Sequence, residues 1–307
     1  MTQKMHSLAR LWDSDVGYSF RSSPVAIVAA AVAIVLILAA LLARWVAPHN
    51  PLDLATINLL DASMPPFWAD GGTFKFLLGT DVQGRDVLSA VIYGMRISLV
   101  IGAASVVLAV VAGVGIGLLS GYVGGRLDAF LMRIADVQLS FPAILIALLV
   151  DGVARAALPR ETHDVVAFPV LVAAIALAGW PQYARTVRGS TLVEKGKEYV
   201  QAARVIGVSS LAIMVRHVLP NVLGPVLVLA TVHIATAIIT EATLSFLGVG
   251  VPPTTPSLGT LIRVGAEFLF SGEWWITIFP GLALVMLVLS VNLLGDWLRD
   301  ALNPRLR

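Results

Sequence analysis

Long apolar runs separated by short polar stretches dominate the sequence. The first run, residues 25–43, contains 19 consecutive apolar residues, close to the roughly 20 that a helix needs to cross a bilayer core of about 30 Å. A cleaved signal peptide is the alternative for this run, but its apolar part usually has only about 7–15 residues. Five further runs predict spans at residues 97–119, about 134–150, 165–184, 222–240 and 274–295. The pattern therefore predicts an all-α polytopic membrane protein with six transmembrane helices.

A few polar residues interrupt these spans, and we expect them to face protein or a water-filled path rather than lipid. Asp136 lies in the third span, where an ion pair with Arg133 three residues earlier is the simpler reading and a gating role the alternative. His233, in the fifth span, is expected to hydrogen-bond a neighbouring helix or to line a pore. Glu241, at the outer end of that span, is expected to snorkel or cap, with substrate contact as the alternative. Four glycines of the second span predict close helix packing: Gly102, Gly113, Gly115 and Gly117.

The composition supports a membrane protein and gives its orientation. Only 13% of the residues are charged, about half the share of a soluble domain, and the mean hydropathy is +0.87. The net charge of +2 is too small for a nucleic-acid-binding surface. With a cytoplasmic N-terminus, the four inner segments hold 14 of the 21 Lys and Arg residues. Because positive charge accumulates on the cytoplasmic side, both termini are predicted to lie there.

Two hydrophilic stretches connect the predicted spans. Residues 48–95 begin rich in proline and become amphipathic over residues 74–93, which predicts a short interfacial helix on the outer side. Residues 185–220 form the longest and most basic inner loop, in which residues 197–206 suit a short helix.

The inner loop has recognisable helix boundaries. Gly207 is a natural end for the first short helix, and Ser209 or Ser210 can cap a second one. That second helix is expected to run to Leu219-Pro220, where the proline interrupts entry to the fifth span. Ala202 and Ala203 form a small-residue patch that would let another surface approach closely.

The chain carries no recognisable catalytic motif. Its one Gly-Lys pair, Gly196-Lys197, is followed by Glu198 and lacks the spaced glycines of a phosphate-binding loop. The five histidines are scattered, and there is no cysteine, which excludes disulfides, thiolate metal sites and cysteine nucleophiles. We therefore expect neither an enzyme nor a bound cofactor or metal.

Several sequence blocks resemble one transporter family. Glu198-Tyr199-Val200-Gln201-Ala202-Ala203, followed by Gly207 and Leu219-Pro220, resembles the Glu-Ala-Ala loop of permease subunits of bacterial ABC importers. Gln201 stands where the general pattern has Glu, and His217 where it often has Ile, but the peptide-importing branch commonly reads Glu-Tyr-Val-x-Ala-Ala. The stretch Leu-Gly-Thr-Asp-Val-Gln-Gly-Arg-Asp at residues 78–86 resembles an element of the second, C-type permease of dipeptide, oligopeptide and nickel importers. Further similar blocks follow in order, so the resemblance covers residue 20 to the C-terminus.

The resemblance implies a type I ABC importer permease in the bacterial inner membrane. Its partners would be a homologous second permease, two ATPases that hold ATP and Mg, and an extracytoplasmic substrate-binding protein. Part of the inner loop would be a coupling helix that docks on an ATPase, involving Glu198, Tyr199, Gln201, Ala202, Ala203, Arg204, Gly207, Leu219 and Pro220. Asp136, His233 and Glu241 are the candidates for gating or for lining the substrate path.

The resemblance also suggests a division of the chain and leaves alternatives open. We expect a cytoplasmic segment at residues 1–23, a first span with an outer segment at 24–95, and a five-span core at 96–307 with the coupling loop at 185–220. Nickel chelates, glutathione or opines are alternative substrates to peptides. A self-contained carrier or channel is the alternative from another class, but it would favour buried acids and paired broken helices, and only Asp136 and Glu241 come close.

The predicted orientation can be tested by cysteine accessibility, because the chain has no native cysteine. A Lys75→Cys variant should react with an impermeant maleimide in intact cells, since residue 75 lies outside. A Lys197→Cys variant should react only after permeabilisation. Labelling of position 75 only after permeabilisation would overturn the assignment.

Overall fold

The computed structural model describes residues 15–53, 55 and 57–301, and in this part of the chain the regular structure is helical. The longer helices are separated by turns and single helical turns. In chain order the α-helices are α1 Asp15–Ser22, α2 Pro24–Leu41, α3 Ala43–Val46, α4 Val87–Val123, α5 Gly125–Leu139, α6 Ala143–Ala157, α7 His163–Glu194, α8 Glu198–Val205, α9 Ser210–Ile213, α10 Leu219–Phe246, α11 Leu258–Ala266 and α12 Trp275–Ala301.

The predicted spans are present as apolar helices. Five helical stretches are long and apolar enough to cross a membrane: α2, α4, α7, α12 and the continuous stretch Ser210–Phe246. The α5–α6 pair makes a sixth if it counts as one span. By packing, the chain divides into one unit up to Leu99 and from Pro253 onward, and a second from Val100 to Pro252.

The predicted interfacial helix over residues 74–93 is wrong. Residues 74–86 form turns that end in an isolated antiparallel bridge between Thr80 and Asp86. Helix α4 then starts at Val87 and continues without a break through the predicted second span. Its start is set by Asp86, whose Oδ2 accepts the Ser89 backbone N–H at 3.0 Å, as an N-cap residue does.

The predicted third span is a broken helix rather than a straight one. Helix α5 ends at Leu139 and α6 begins at Ala143, and the two are bent by 95°. Pro142 lies at the break, where its ring and missing N–H prevent continuation of the helix. The Ser140 hydroxyl donates to the Asp136 carbonyl at 2.9 Å and satisfies one of the carbonyls at the end of α5.

The proline at the entry to the fifth span does not interrupt it. The chain stays helical from Ser210 to Phe246 through a π-helical turn, Met214–Val218. There the Leu219 N–H bonds the Met214 carbonyl five residues back. Pro220 follows this turn, at a point where the regular α-helical hydrogen-bond pattern is already interrupted. The wider turn therefore accommodates the proline within one continuous span.

Three of the four glycines in the second span confirm the prediction of close packing. In the unit of residues 100–252, a Cβ added at Gly113 would lie 2.4 Å from the Tyr183 Cβ, and one at Gly117 would lie 2.4 Å from the Ala184 carbonyl oxygen. A Cβ at Gly102 would lie 2.8 Å from Ile238. The prediction is wrong for Gly115, which has nothing within 4 Å. Helices α4 and α7 approach this closely because glycine has no side chain.

In the other unit, residues 78–86 form a mostly buried stretch whose polar groups hydrogen-bond one another and neighbouring segments. The Arg85 guanidinium lies 2.6 Å from the Asp81 carboxylate, and both side chains are about nineteen-twentieths buried. Arg85 also donates to the Pro253 carbonyl at 3.3 Å, and the Trp275 indole N–H donates to the Thr80 carbonyl at 3.0 Å. These bonds hold the stretch before α4 against the starts of α11 and α12.

The glycine contacts make a matched prediction about stability. Gly113→Ala or Gly117→Ala should destabilise the protein by about 1–3 kcal/mol, because the added methyl meets atoms that cannot move aside. Gly115→Ala should be neutral or stabilising by up to about 1 kcal/mol, because alanine favours a helix and the position is open. Thermal unfolding in detergent measures both effects. An equal loss of melting temperature in all three variants would contradict the contact argument.

Candidate functional site

The segment that links α7 to α10, residues 195–218, forms a compact structure that packs on its own unit. It contains α8, the turn after it, α9 and the π-helical turn. Val200 and Ala203 are buried on the inner side of α8, in one cluster with Tyr122, Ile213 and Val218. We call residues 195–218 the linking segment. Because its inner face is part of a hydrophobic core, the segment packs firmly against the helices of its own unit.

The ends of α8 confirm the sequence prediction. The helix covers Glu198–Val205, within the predicted 197–206. Gly207 follows in a left-handed conformation with φ +83°, which glycine adopts without strain. The Ser209 hydroxyl accepts the Ala212 N–H at 3.4 Å and caps α9.

A tyrosine ties the linking segment to both long helices. The Tyr199 hydroxyl donates to Glu194 Oε1 at 2.5 Å, and the Asn221 amide donates to the Tyr199 oxygen at 3.2 Å. The ring also stacks on His217. Desolvation and the bond to Glu194 raise the pKa of Tyr199 to about 12, so its hydroxyl keeps its proton at physiological pH.

The outer face of the linking segment is apolar and exposed. Val205, Ile206 and Leu211 are 86%, 78% and 67% exposed, and Ala202 is exposed beside them. The expectation that both alanines face a partner is wrong for Ala203, which is 4% exposed because it lies on the same side as Val200. The sequence pattern could have identified this outer face, because positions 200 and 203 mark the inner face of α8.

The other residues proposed for this site surround the same segment. Glu198, Gln201, Arg204 and Pro220 are exposed, and Leu219 is half-buried. The Gln201 amide donates to the Lys195 carbonyl at 3.4 Å, and the Arg204 guanidinium lies 5.1 Å from the centre of the Tyr122 ring. The structure thus brings the residues of the predicted coupling loop together around α8.

An ion pair braces the helices at this end of the unit. Arg188 on α7 makes two bonds to the Asp128 carboxylate on α5, at 2.5 and 2.7 Å. The Ser120 hydroxyl on α4 donates to the same carboxylate. Lys195 donates to the Gly121 carbonyl at 2.6 Å. Two parallel bonds between guanidinium and carboxylate fix distance and orientation together, so α4, α5 and α7 are held in register.

Asp136 does not form the ion pair with Arg133 that the sequence spacing suggested. Its carboxylate lies 2.9 Å from the Arg185 guanidinium on α7, and both side chains are about half exposed. The fold places Arg185 opposite this face of α5, so a contact between helices takes the place of the local pair.

A small cavity lies farther along α7 and α10. His233 Nε2 and Gln182 Oε1 are 2.5 Å apart, which confirms the predicted bond to a neighbouring helix, and His233 also lines the cavity. The cavity has a volume of about 70 Å³ and an uncharged lining: Ser105, Val106, Ala109, Ala143, Ile175, Ala178, Gly179, Gln182, His233, Thr236, Ala237 and Thr240. Gln182 is the residue that sequence analysis missed.

Glu241 neither snorkels nor lines this cavity. Glu241 is 0% exposed, and its Oε1 accepts a hydrogen bond from the Ser245 hydroxyl at 2.7 Å. A buried carboxylate needs such partners, because an unsatisfied one is costly. The expectation of snorkelling or capping is therefore wrong.

Comparisons with known proteins define the family to which this chain of long apolar helices belongs. The model of the binding-protein-dependent transport system inner membrane component matches residues 113–307. The model of the N-terminal transmembrane domain of oligopeptide transport permease C matches residues 11–66. The chain belongs to the family of binding-protein-dependent transport system inner membrane components. It is a permease subunit of an ABC importer, a class that works with ATPase and binding-protein partners.

Individual relatives and a solved structure are similar over most of the chain. The di/tripeptide transport system permease protein DppC of Pseudomonas aeruginosa is 39% identical over 89% of this chain and 86% of its own. The dipeptide transport system permease protein DppC of Haemophilus influenzae is 38% identical over 94% of both chains. The inward-facing structure of the MetNI methionine ABC transporter covers 70% of this chain and 96% of its own, with a TM-score of 0.52 and 18% identity. This last similarity shows the permease fold.

The Asp128–Arg188 and Asp136–Arg185 ion pairs differ in burial, and this difference predicts their contributions to stability. Asp128→Asn should destabilise the protein by about 1.5–3 kcal/mol, because it weakens two charge-assisted bonds at a site that is 15% exposed. Asp136→Asn should cost less than about 1 kcal/mol, because its pair is half exposed. Thermal unfolding in the same detergent compares the two variants, and a larger loss for Asp136→Asn would contradict this ranking.

Proposed function

We propose that this permease subunit transports di- or oligopeptides. The observation that carries the proposal is the identity of 38–39% over most of both chains to permeases named for dipeptides and for di- and tripeptides. The peptide-branch sequence Glu198-Tyr199-Val200-Gln201-Ala202-Ala203 supports the same substrate class.

The linking segment is the coupling site in this proposal. The exposed apolar face of Ala202, Val205, Ile206 and Leu211 would dock in a cleft of an ATPase subunit, where its burial removes apolar surface from water. Its opposite face is fixed by Val200 and Ala203. A push on the docked face would therefore reach α7 and α10 directly.

The movement of α7 and α10 would change the shape of the cavity. Helix α7 precedes the linking segment and α10 follows it. The same two helices carry Gln182 and His233, which line the cavity. A change in their separation would widen or close the cavity. Docking and substrate passage would thus be coupled through two continuous helices.

The complete importer in this proposal contains a homologous second permease, two ATPases and an extracytoplasmic binding protein. ATP and Mg would bind to the ATPases, whose closure would pull the coupling helices together and turn the spans from inward-facing to outward-facing. ATP hydrolysis would reset them. Asp136 pairs with Arg185 on α7, one of the two helices that this movement would shift.

Peptide uptake into proteoliposomes containing the complete importer tests the proposal. Labelled alanyl-alanine should accumulate in a manner that depends on ATP and the binding protein. Ala202→Glu or Ile206→Glu should lower uptake at least tenfold with unchanged membrane insertion, because a charge on the exposed face opposes docking.

The matched control is Thr73→Glu, which adds the same charge at an exposed position far from the linking segment in sequence. It should transport like the wild type. Uptake at the wild-type rate in both Ala202→Glu and Ile206→Glu would refute the docking site, and absence of peptide uptake by the wild type would refute the substrate class.

A further inference from the structure

The Gln182–His233 pair joins two long helices away from the linking segment. Gln182 is 12 residues before the end of α7 at Glu194, and His233 is 14 residues after the start of α10 at Leu219. At a rise of 1.5 Å per residue, these are distances of about 18 and 21 Å along the helices. His233 lies in the middle of the predicted fifth span, residues 222–240, where a polar side chain is costly in lipid and marks a functional path.

The pair has hydrogen-bonding capacity beyond the bond it makes. A Gln side chain carries one carbonyl acceptor and two N–H donors, and a neutral His carries one donor and one acceptor. The bond between Oε1 and Nε2 occupies one acceptor and one donor. Within the described residues, the Gln182 amide nitrogen makes no hydrogen bond, and the residue is exposed.

The surrounding wall is chemically neutral and mostly small. Three hydroxyl residues contribute the other polar groups, and they are themselves satisfied by carbonyls one turn back: Ser105 by Ile101, Thr236 by Val232 and Thr240 by Thr236. Most of the remaining lining residues are alanine or glycine. Such a wall favours no particular charge and leaves room for different side chains.

We propose that the Gln182–His233 bond opens during transport and that both side chains then bind a main-chain amide of the passing peptide. This inference rests on the proposed peptide substrate. Gln182 Oε1 and His233 Nε2 lie 2.5 Å apart, which leaves no room for an amide between them, so α7 and α10 must separate to admit a peptide.

An amide satisfies both groups that the separation leaves unpaired. Its N–H donates to Gln182 Oε1, and its C=O accepts from the Nε2–H of His233. Because an unpaired polar group is costly in a low-dielectric site, this exchange compensates for the broken bond. Every peptide bond except one to proline offers the same N–H and C=O, so the pair recognises the main chain and tolerates different side chains.

An N-methylated peptide separates main-chain recognition from a structural role. Alanyl-sarcosine keeps the amide carbonyl of alanyl-alanine but lacks its N–H. In the complete importer, Gln182→Leu should lower alanyl-alanine uptake about tenfold and leave alanyl-sarcosine uptake within twofold of wild type. His233→Leu should lower the uptake of both peptides, because both need its donor, and His233→Gln should restore most of it.

The matched control is Thr231→Val on α10, a residue outside the cavity lining whose hydroxyl donates to the Val228 carbonyl. It should transport both peptides like the wild type. Equal loss of the two peptides in Gln182→Leu, or no loss of either, would overturn the amide-binding pair and leave peptide transport standing. If the wild type takes up neither peptide, the proposed substrate class is overturned, and this inference with it.

Discussion

The hydrocarbon core of a bilayer provides no hydrogen bonds to a peptide backbone, so each spanning segment must satisfy its own N–H and C=O groups. This constraint explains why the long helices continue through prolines that would end a helix in water, as α7 does at Pro169 and Pro181. It also explains the π-helical turn before Pro220, which keeps the backbone bonded where a regular turn would not. The sharp break between α5 and α6 falls at Pro142, just after Ser140, whose hydroxyl and backbone N–H both donate to the Asp136 carbonyl.

Because each helix satisfies its own backbone hydrogen bonds, side-chain packing determines which helices contact each other. In lipid there is little hydrophobic gain from joining two apolar helices, so close approach between small residues becomes the main attraction. Gly113 and Gly117 on α4 provide that approach to α7. Near the linking segment the Asp128–Arg188 pair joins α7 to α5, which adds orientation to proximity. The linking segment joins α7, which is held in this way, to α10, whose Ile238 packs against Gly102 of α4.

Polar groups inside the unit fall into two kinds that sequence alone does not separate. Glu241 is buried and bonded to Ser245, so it contributes to a fixed core. Gln182 and His233 bond each other beside a cavity, and the capacity they retain suits a transient ligand. A permease must carry a polar cargo past apolar helices without trapping it. Neutral groups that exchange one bond for another meet this requirement better than charges, which would hold some cargoes and repel others.

The sequence alone determined the position of the apolar helices, the bounds of α8, a cap at Ser209 or Ser210 and the family blocks, because these features depend on composition and on neighbours a few residues apart. Only the tertiary structure decided the bend at Pro142, the unbroken helix through Pro220, the inward position of Ala203 and the choice of Arg185 over Arg133 as the partner of Asp136. It also revealed Gln182, which meets His233 across 51 residues of sequence. Such contacts depend on how separate helices pack, and no local pattern encodes that packing.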